Sequence, residues 1–467
     1  MSAYKVCSIV LIIAMTYCIQ AMAHYDRAKF KALVSDDTSN DEAVEMDAKQ
    51  LINYAGFEYE EHYVIADDGY VTQLLRLINP KADRRQLKWP PVMLFHGANI
   101  DNAAYLLAST NAHHPEKYPR DESDGPMTSS TRSLAFMLAN NGYDVWLMST
   151  RGSNKQNQAF LNEDEIEEAR QQHDWKPSKS NFRLVKKNRD KYWSYGLDEI
   201  IKYELREQID KVRSLTNSDE VSIFSFSLST PTTMAFLAAN PDYAKKVRHY
   251  TQMAPAIAAD HFTAIGDLYF EKICPHFKTR GIGFTPSFLV KPVVRQLVFQ
   301  FSKSHNIRYS LVLKFLNALF GPSEKYQTNL ELNFVARIFQ PVSFKSIQHY
   351  CKNSRTKKLT KFDYGEKKNE LIYHEKTPPE YKIDTLEVQN WLVISGTNDA
   401  LADANTVQRL IEKTRKPEPV HIQVAGFNHA DFLAGVENAR YVNEPYLAEL
   451  ESTLNSARVA RWQLRKS

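Results

Sequence analysis

Net charge is nearly absent from this 467-residue sequence: 59 Lys and Arg stand against 55 Asp and Glu, a formal balance of +4. Nucleic-acid binders carry a basic face or tail, and no basic, aromatic-interleaved repeat is present, so nucleic acid is excluded as the principal partner. Long apolar runs are missing beyond the N-terminus, so no later segment has the length of a membrane-spanning helix and the mature chain is expected to be soluble. No Asn-x-Ser/Thr sequon occurs, and N-glycosylation is therefore not expected. Cysteine is scarce as well. Of the four, Cys7 and Cys18 lie near the N-terminus, leaving Cys274 and Cys351 to form one disulfide or to remain two buried thiols. Internal repeats and low-complexity segments are also lacking.

What is present begins with a targeting pattern. Lys5 precedes the apolar run Val6 to Tyr17, and Ala21-Met22-Ala23 supplies the small-x-small site that a signal peptidase accepts. Residues 1–23 are expected to be removed, leaving a protein that is secreted or resides in a lysosomal or endosomal lumen. Without a sequon a glycan-based route to lysosomes is closed, which favours secretion.

Six short apolar runs then recur, each ending in a polar or glycine turn and each followed by helical spacing. They are Pro91 to Phe95, Asp144 to Met148, Val221 to Phe226, His249 to Met253, Trp391 to Ser395 and Val420 to Ala425. Near-continuous apolar strands alternating with helices predict an α/β fold with a mostly parallel central sheet covered on both faces. An antiparallel hairpin, Tyr59 to Ala66 with Tyr70 to Leu77, is expected in front, closed by Asp67-Asp68-Gly69. A helix is expected from Thr232 to Ala239, ended by Asn240-Pro241. Between residues 258 and 386 the alternation stops, and Lys and Arg outnumber Asp and Glu by roughly two to one. That stretch predicts a mainly helical insertion dividing the core into residues 24–257 and 387–467. Its aromatics, among them Phe277, Phe288, Phe299 and Phe301, could line an acyl tunnel or face lipid. Each is as readily explained as ordinary core. The end of the chain, Arg458 to Ser467, reads as a basic tail.

In an open α/β sheet, reactive groups sit just past the carboxyl ends of strands. Ser227 follows Val221 to Phe226, Asp399 follows Trp391 to Ser395 in Gly-Thr-Asn-Asp, and His429 follows Val420 to Ala425 in Gly-Phe-Asn-His. The order Ser, Asp, His is that of the α/β-hydrolases. A serine hydroxyl becomes nucleophilic when a histidine takes its proton and a carboxylate holds that histidine in the right tautomer. The oxyanion then formed needs backbone N–H donors, for which the candidates are Leu228, next to the serine, and Ala98, in the turn after Phe95. Taken singly, each residue has an ordinary structural explanation: a turn serine, an N-cap aspartate and a hydrogen-bonded histidine. His96 is read as a support for its turn. Their common position after successive strands joins Ser227, Asp399 and His429.

An ordered set of short motifs resembles the acid lipase family, the gastric and lysosomal acid lipase-like α/β-hydrolases, from about Glu42 to Glu449. They are Asp67 to Tyr70, His96-Gly97, Gly142 to Leu147, Ser149 to Gly152, Tyr192 to Glu199, Met253 to Ala256, Phe362 to Gly365, Asn398 to Asp403 and Asn428 to Phe432. The resemblance implies a cap inserted between the sixth and seventh strands. It also implies hydrolysis of neutral lipid esters, triacylglycerols or steryl esters, at a lipid–water interface by a monomer without metal or cofactor. It gives Ser227 the role of nucleophile, Asp399 that of orienting acid, His429 that of base, and the amides of Ala98 and Leu228 those of oxyanion donors. Two departures stand out. The family's Gly-His-Ser-Gln-Gly is here Ser225-Phe226-Ser227-Leu228-Ser229, and its His-Gly-Leu is His96-Gly97-Ala98. Side chains where glycine is usual predict elbow strain of about 1–3 kcal/mol at each poorly tolerated position. The alternatives are a lipid carrier on a lipase scaffold and an acyltransferase that uses the same acyl-serine.

Overall fold

The computed structural model describes residues 46–83, 87–113, 133–153, 159–172, 175–258, 283–284, 317–323, 340–414, 418–435 and 437–453. The expected signal segment and its cleavage after Ala23, Cys274, the four aromatics named above and the basic tail lie outside them.

The chain enters the sheet through the hairpin. β1 (Glu58–Ile65) and β2 (Val71–Ile78) pair antiparallel, and the connecting Gly69 has φ +86°, where an added Cβ would run into the Leu161 carbonyl. Only glycine is free of both penalties. The parallel strands follow: β3 (Lys88–Phe95), β4 (Tyr143–Met148), β5 (Val221–Phe226) and β6 (Val247–Met253). A separate antiparallel pair, β7 (Gly283–Phe284) and β8 (Val342–Ser343), comes next. β9 (Trp391–Gly396) and β10 (Val420–Val424) complete the main sheet.

The eight-stranded sheet has the order β1-β2-β4-β3-β5-β6-β9-β10. Only the β1/β2 and β2/β4 pairings are antiparallel, and the rest run parallel. The period of two along each strand splits the core between the faces. Leu94, Phe224, Phe226, Leu392 and Ile394 join one cluster, whereas Met93, Phe95, Ile223, Tyr250 and Val393 join the other. Having laid down β4 on one side of β3, the chain returns with β5 on the other side. The crevice between the ends of β3 and β5 is therefore a topological switch point, where open α/β sheets bind ligands.

Two elements differ from expectation. The helix after β5 spans Ser229–Ala239 rather than starting at Thr232. Its first turn lacks apolar periodicity but is stitched by hydroxyls donating to carbonyls one turn back: Thr230 to Ser227 at 2.6 Å, Thr232 to Ser229 at 3.0 Å and Thr233 to Ser229 at 2.8 Å. Pro231 costs nothing there, because first-turn N–H groups have no intrahelical partner. β10, expected as a buried strand, is among the described residues an edge strand that pairs only with β9, and it buries only Val424.

Between β6 and β9 the described residues include the β7/β8 pair and a helix, Phe344–Thr356, outside the main sheet. Cys351 of that helix is in a disulfide, which settles for this residue the choice the sequence left open.

Candidate active site

β5 stops at Phe226 because the next residue leaves the extended conformation: Ser227 has φ +56°. Leu228 is already right-handed, with φ −64° and ψ −20°, and the helix begins at Ser229. A left-handed non-glycine residue costs of order ~1–3 kcal/mol. Here that strain falls on Ser227, and its N–H is anchored by the Met253 carbonyl at 3.0 Å. The expectation of strain at Ser225 and Ser229 is corrected. Neither has positive φ, and both hydroxyls have partners. Ser225 Oγ lies 2.9 Å from Thr233 Oγ1. Ser229 Oγ accepts from the Phe226 N–H at 2.9 Å and reaches the carbonyls of Phe95 at 2.9 Å and Phe226 at 2.8 Å. Serine is accommodated at both positions because the space left by a small side chain is filled by polar partners.

The turn after β3 lies against this elbow. A Cβ on Gly97 would stand 2.7 Å from Ser227 Cβ and 3.2 Å from its Oγ, so glycine alone permits this approach. Ala98 and Leu228 line a common cavity of about 40 Å³ beside the elbow. His96 is buried beneath the turn, with Nδ1 2.8 Å from the Gly97 carbonyl and Nε2 accepting from the Thr150 N–H at 3.1 Å. Burial holds its pKa below the ordinary histidine value, consistent with a neutral structural imidazole.

The third side is built from the loops after β9 and β10. Asp399 Oδ1 accepts from the N–H groups of Leu401 and Ala402, each at 2.8 Å. His429 Nδ1 lies 2.9 Å from Asp399 Oδ2 and 3.1 Å from Oδ1, and His429 Nε2 is 2.7 Å from Ser227 Oγ. Ser227, His429 and Asp399 therefore form one continuous hydrogen-bonded chain. Asp399 and His429 are each only 4% exposed, and their mutual attraction is little screened by water. Chemically, this chain can draw a proton from Ser227 onto an imidazole whose opposite nitrogen faces a carboxylate.

Sequence reasoning missed the supports of His429. Its ring stacks with Phe226, at 5.1 Å between centroids, and with Phe320, at 6.1 Å. The Phe320 carbonyl accepts from the N–H groups of both His429, at 3.2 Å, and Ala400, at 3.1 Å. Asn428 Nδ2 donates to the Gly321 carbonyl at 2.7 Å, and Gly321, with φ +98°, packs so closely on Asn398 that an added Cβ would collide with its carbonyl. The signal was Phe320-Gly321-Pro322, a glycine turn distant in sequence from both loops it joins.

Several of the remaining motifs meet in one buried network. Arg151 Nη1 pairs with Asp68 at 2.7 Å and its Nε with Glu204 at 3.0 Å, while the guanidinium covers the Tyr70 ring at 4.5 Å. Tyr70 donates to the Tyr192 carbonyl at 3.0 Å and Tyr195 to that of Arg151 at 2.8 Å. This network carries the turn after β4 and backs the cavity beside Ala98.

Comparison with known proteins places these features in context. The family model described as the partial alpha/beta-hydrolase lipase region matches residues 48–109. Lipase member K of Mus musculus is 26% identical over 464 residues, covering 95% of this chain and 99% of that protein. Gastric triacylglycerol lipase of Rattus norvegicus is 26% identical over 405 residues, covering 83% and 87%. Lysosomal acid lipase/cholesteryl ester hydrolase of Macaca fascicularis is 23% identical over 402 residues, covering 84% and 87%.

Proposed function

We propose that this chain, which is similar along most of its length to lipases of the acid lipase family and carries a match to the partial alpha/beta-hydrolase lipase region, hydrolyses carboxylic esters of neutral lipids through an acyl-enzyme on Ser227. The observation that carries this reading is the hydrogen-bonded chain from Ser227 through His429 to Asp399 at the switch point between β3 and β5.

His429 Nε2 takes the Ser227 proton as Oγ attacks the ester carbonyl carbon. The carbonyl π electrons move onto oxygen, and the N–H groups of Ala98 and Leu228 stabilise that oxyanion, removal of one such donor typically costing about 2.7–4 kcal/mol. Asp399 holds the Nδ1 proton and stabilises the imidazolium without itself being protonated. Collapse of the intermediate expels the alkoxide, which leaves as the alcohol after receiving the proton from Nε2. Water then enters, gives its proton to His429 and attacks the acyl carbon, and a second collapse releases the fatty acid and restores Ser227. The substrate class, triacylglycerol or steryl ester, is suggested by the gastric triacylglycerol lipase and the lysosomal acid lipase/cholesteryl ester hydrolase that the chain resembles. Residues 258–386 act in this reading as a cap over the site at a lipid–water interface, in a secreted or lumenal monomer freed of residues 1–23.

The test is labelling by a fluorophosphonate together with turnover of triolein and a p-nitrophenyl ester, wild type beside Ser227→Ala. Labelling and turnover in the wild type, both lost in the variant by about 10³-fold or more, support the proposal. A wild type that neither labels nor hydrolyses, but co-purifies with intact lipid, refutes it in favour of a carrier. Products formed only when an acceptor alcohol is added would make the protein an acyltransferase.

A further inference from the structure

We propose that Ser229 is a positioning residue that ties together the two turns bearing the oxyanion donors, an inference that rests on the reading of Ser227 as nucleophile. The ladder between β3 and β5 ends at the pair Phe95 and Ser225. Beyond it the backbone ladder stops, and the two chains continue side by side, one into His96-Gly97-Ala98 and the other into Phe226-Ser227-Leu228. Only their relative placement brings the amides of Ala98 and Leu228 to bear on a single oxygen.

Ser229 Oγ stands just past the end of that ladder. It accepts from the Phe226 N–H at 2.9 Å and lies 2.9 Å from the Phe95 carbonyl oxygen, so the hydroxyl relays one more cross-strand link after the backbone ladder has ended. Its single proton is shared between that carbonyl and the Phe226 carbonyl at 2.8 Å. Phe95 O is gripped from another direction by the Tyr105 hydroxyl at 2.6 Å. Ser229 is buried, so the link is made in a low-dielectric setting where a hydrogen bond is stronger than in water. A glycine at this position has no atom with which to make the link. The hydroxyl of Ser225, in contrast, pairs with Thr233 inside the following helix and touches neither turn. Of the two serines that stand where the family has glycine, one fills space and the other adds a bridge.

The effect of losing the bridge follows from the short range of a donor–oxyanion contact: small misplacements weaken transition-state stabilisation while ground-state binding changes little. The experiment compares wild type with Ser229→Ala, Ser229→Gly and Ser225→Ala in the full chain. It measures kcat and KM on a soluble p-nitrophenyl ester and, independently of turnover, calorimetric affinity for an alkylboronic acid. The boron of that probe accepts the Ser227 oxygen and becomes tetrahedral while the Ser227 proton passes to His429. Both Ser229 variants are expected to lose about tenfold or more in kcat and in boronic acid affinity, with KM within about twofold. Ser225→Ala should stay within about twofold of wild type on each measure. The proposal is overturned if Ser229→Gly equals or exceeds wild type, if kcat falls while boronic acid affinity holds, or if Ser225→Ala loses as much. A wild type that neither binds the boronic acid nor turns over ester would instead sink the nucleophile assignment and this proposal with it.

Discussion

His249, in β6 one strand away from the elbow, links stability to pH. It is fully buried with Nδ1 3.1 Å from Thr251 Oγ1, its ring meets Tyr446 edge-on at 5.9 Å, and among the described residues Nε2 has no hydrogen-bond partner. Burial in this apolar setting pushes its pKa from 6.5 down to about 4. In the unfolded chain the imidazole protonates as pH drops below 6.5, while in the folded chain it stays neutral until about pH 4. The unfolded state therefore binds more protons in that window, and stability contributed by this site falls as pH falls. A gap of 2.5 pKa units corresponds to about 3.4 kcal/mol in full, of which about 2 kcal/mol is already lost at pH 5. Glu204 acts in the opposite sense. Burial, opposed by Arg151, pushes its carboxyl up to about 7, and stability from it is lost as pH rises through the same range. The two are separated by comparing wild type with His249→Leu in urea unfolding followed by tryptophan fluorescence at pH 8 and pH 5. The packing change and Glu204 cancel when the stability differences at the two pH values are subtracted. The variant should gain about 2 kcal/mol relative to wild type on going from pH 8 to pH 5. A pH-independent difference would refute the assignment of His249 as a neutral buried group.

Two further outcomes follow from packing. Gly97→Ala puts a methyl 2.7 Å from Ser227 Cβ, an atom bonded directly to the backbone that cannot yield without moving Ser227. We expect fluorophosphonate labelling of Ser227 to slow by about 10²-fold with the fold retained in circular dichroism, and labelling at the wild-type rate would contradict the close approach. Arg151→Leu leaves Asp68 and Glu204 without their shared cation, a loss of about 3–5 kcal/mol by chemical denaturation. A loss below about 1 kcal/mol would show that the two carboxyls find other partners or accept protons.

The candidate site was legible in sequence where its residues are fixed by local rules. Ser227, Asp399 and His429 each follow a strand, and strands announce themselves by short β-branched and aromatic runs, so their approach was deducible from topology alone. Gly97 was legible as part of a glycine turn. What stayed hidden depends on contacts between distant segments. Phe320 precedes His429 by more than a hundred positions, and although the Gly321-Pro322 that follows it marks a turn, nothing in the sequence says which distant loops that turn joins. The bond from Ser229 to the Phe95 carbonyl was invisible because a serine in a glycine's place reads as a steric defect until its hydroxyl is seen to have partners. The early start of the helix at Ser229 was missed for a related reason: Ser and Thr disfavour helix interiors by propensity, yet here their hydroxyls bond back along the first turn. β10 misled in the other direction, since an apolar run marks a strand without saying whether it lies at the edge of the sheet.

The carbonyl of Phe320, shared by the amides of Ala400 and His429, bears on how interchangeable the parts of such enzymes are. Stretches between the sixth strand and the last two look like the portion that evolution or an engineer could exchange to alter substrate preference while leaving the reactive groups untouched. In this chain that boundary is not clean, because the exchanged stretch would carry away the peptide group that fastens the loop of Asp399 to the loop of His429 and one of the two rings that stack on the imidazole. A chimera would have to splice around Phe320-Gly321, keeping two resident residues inside foreign sequence, or inherit a histidine that is correctly placed in sequence and loosely held in space.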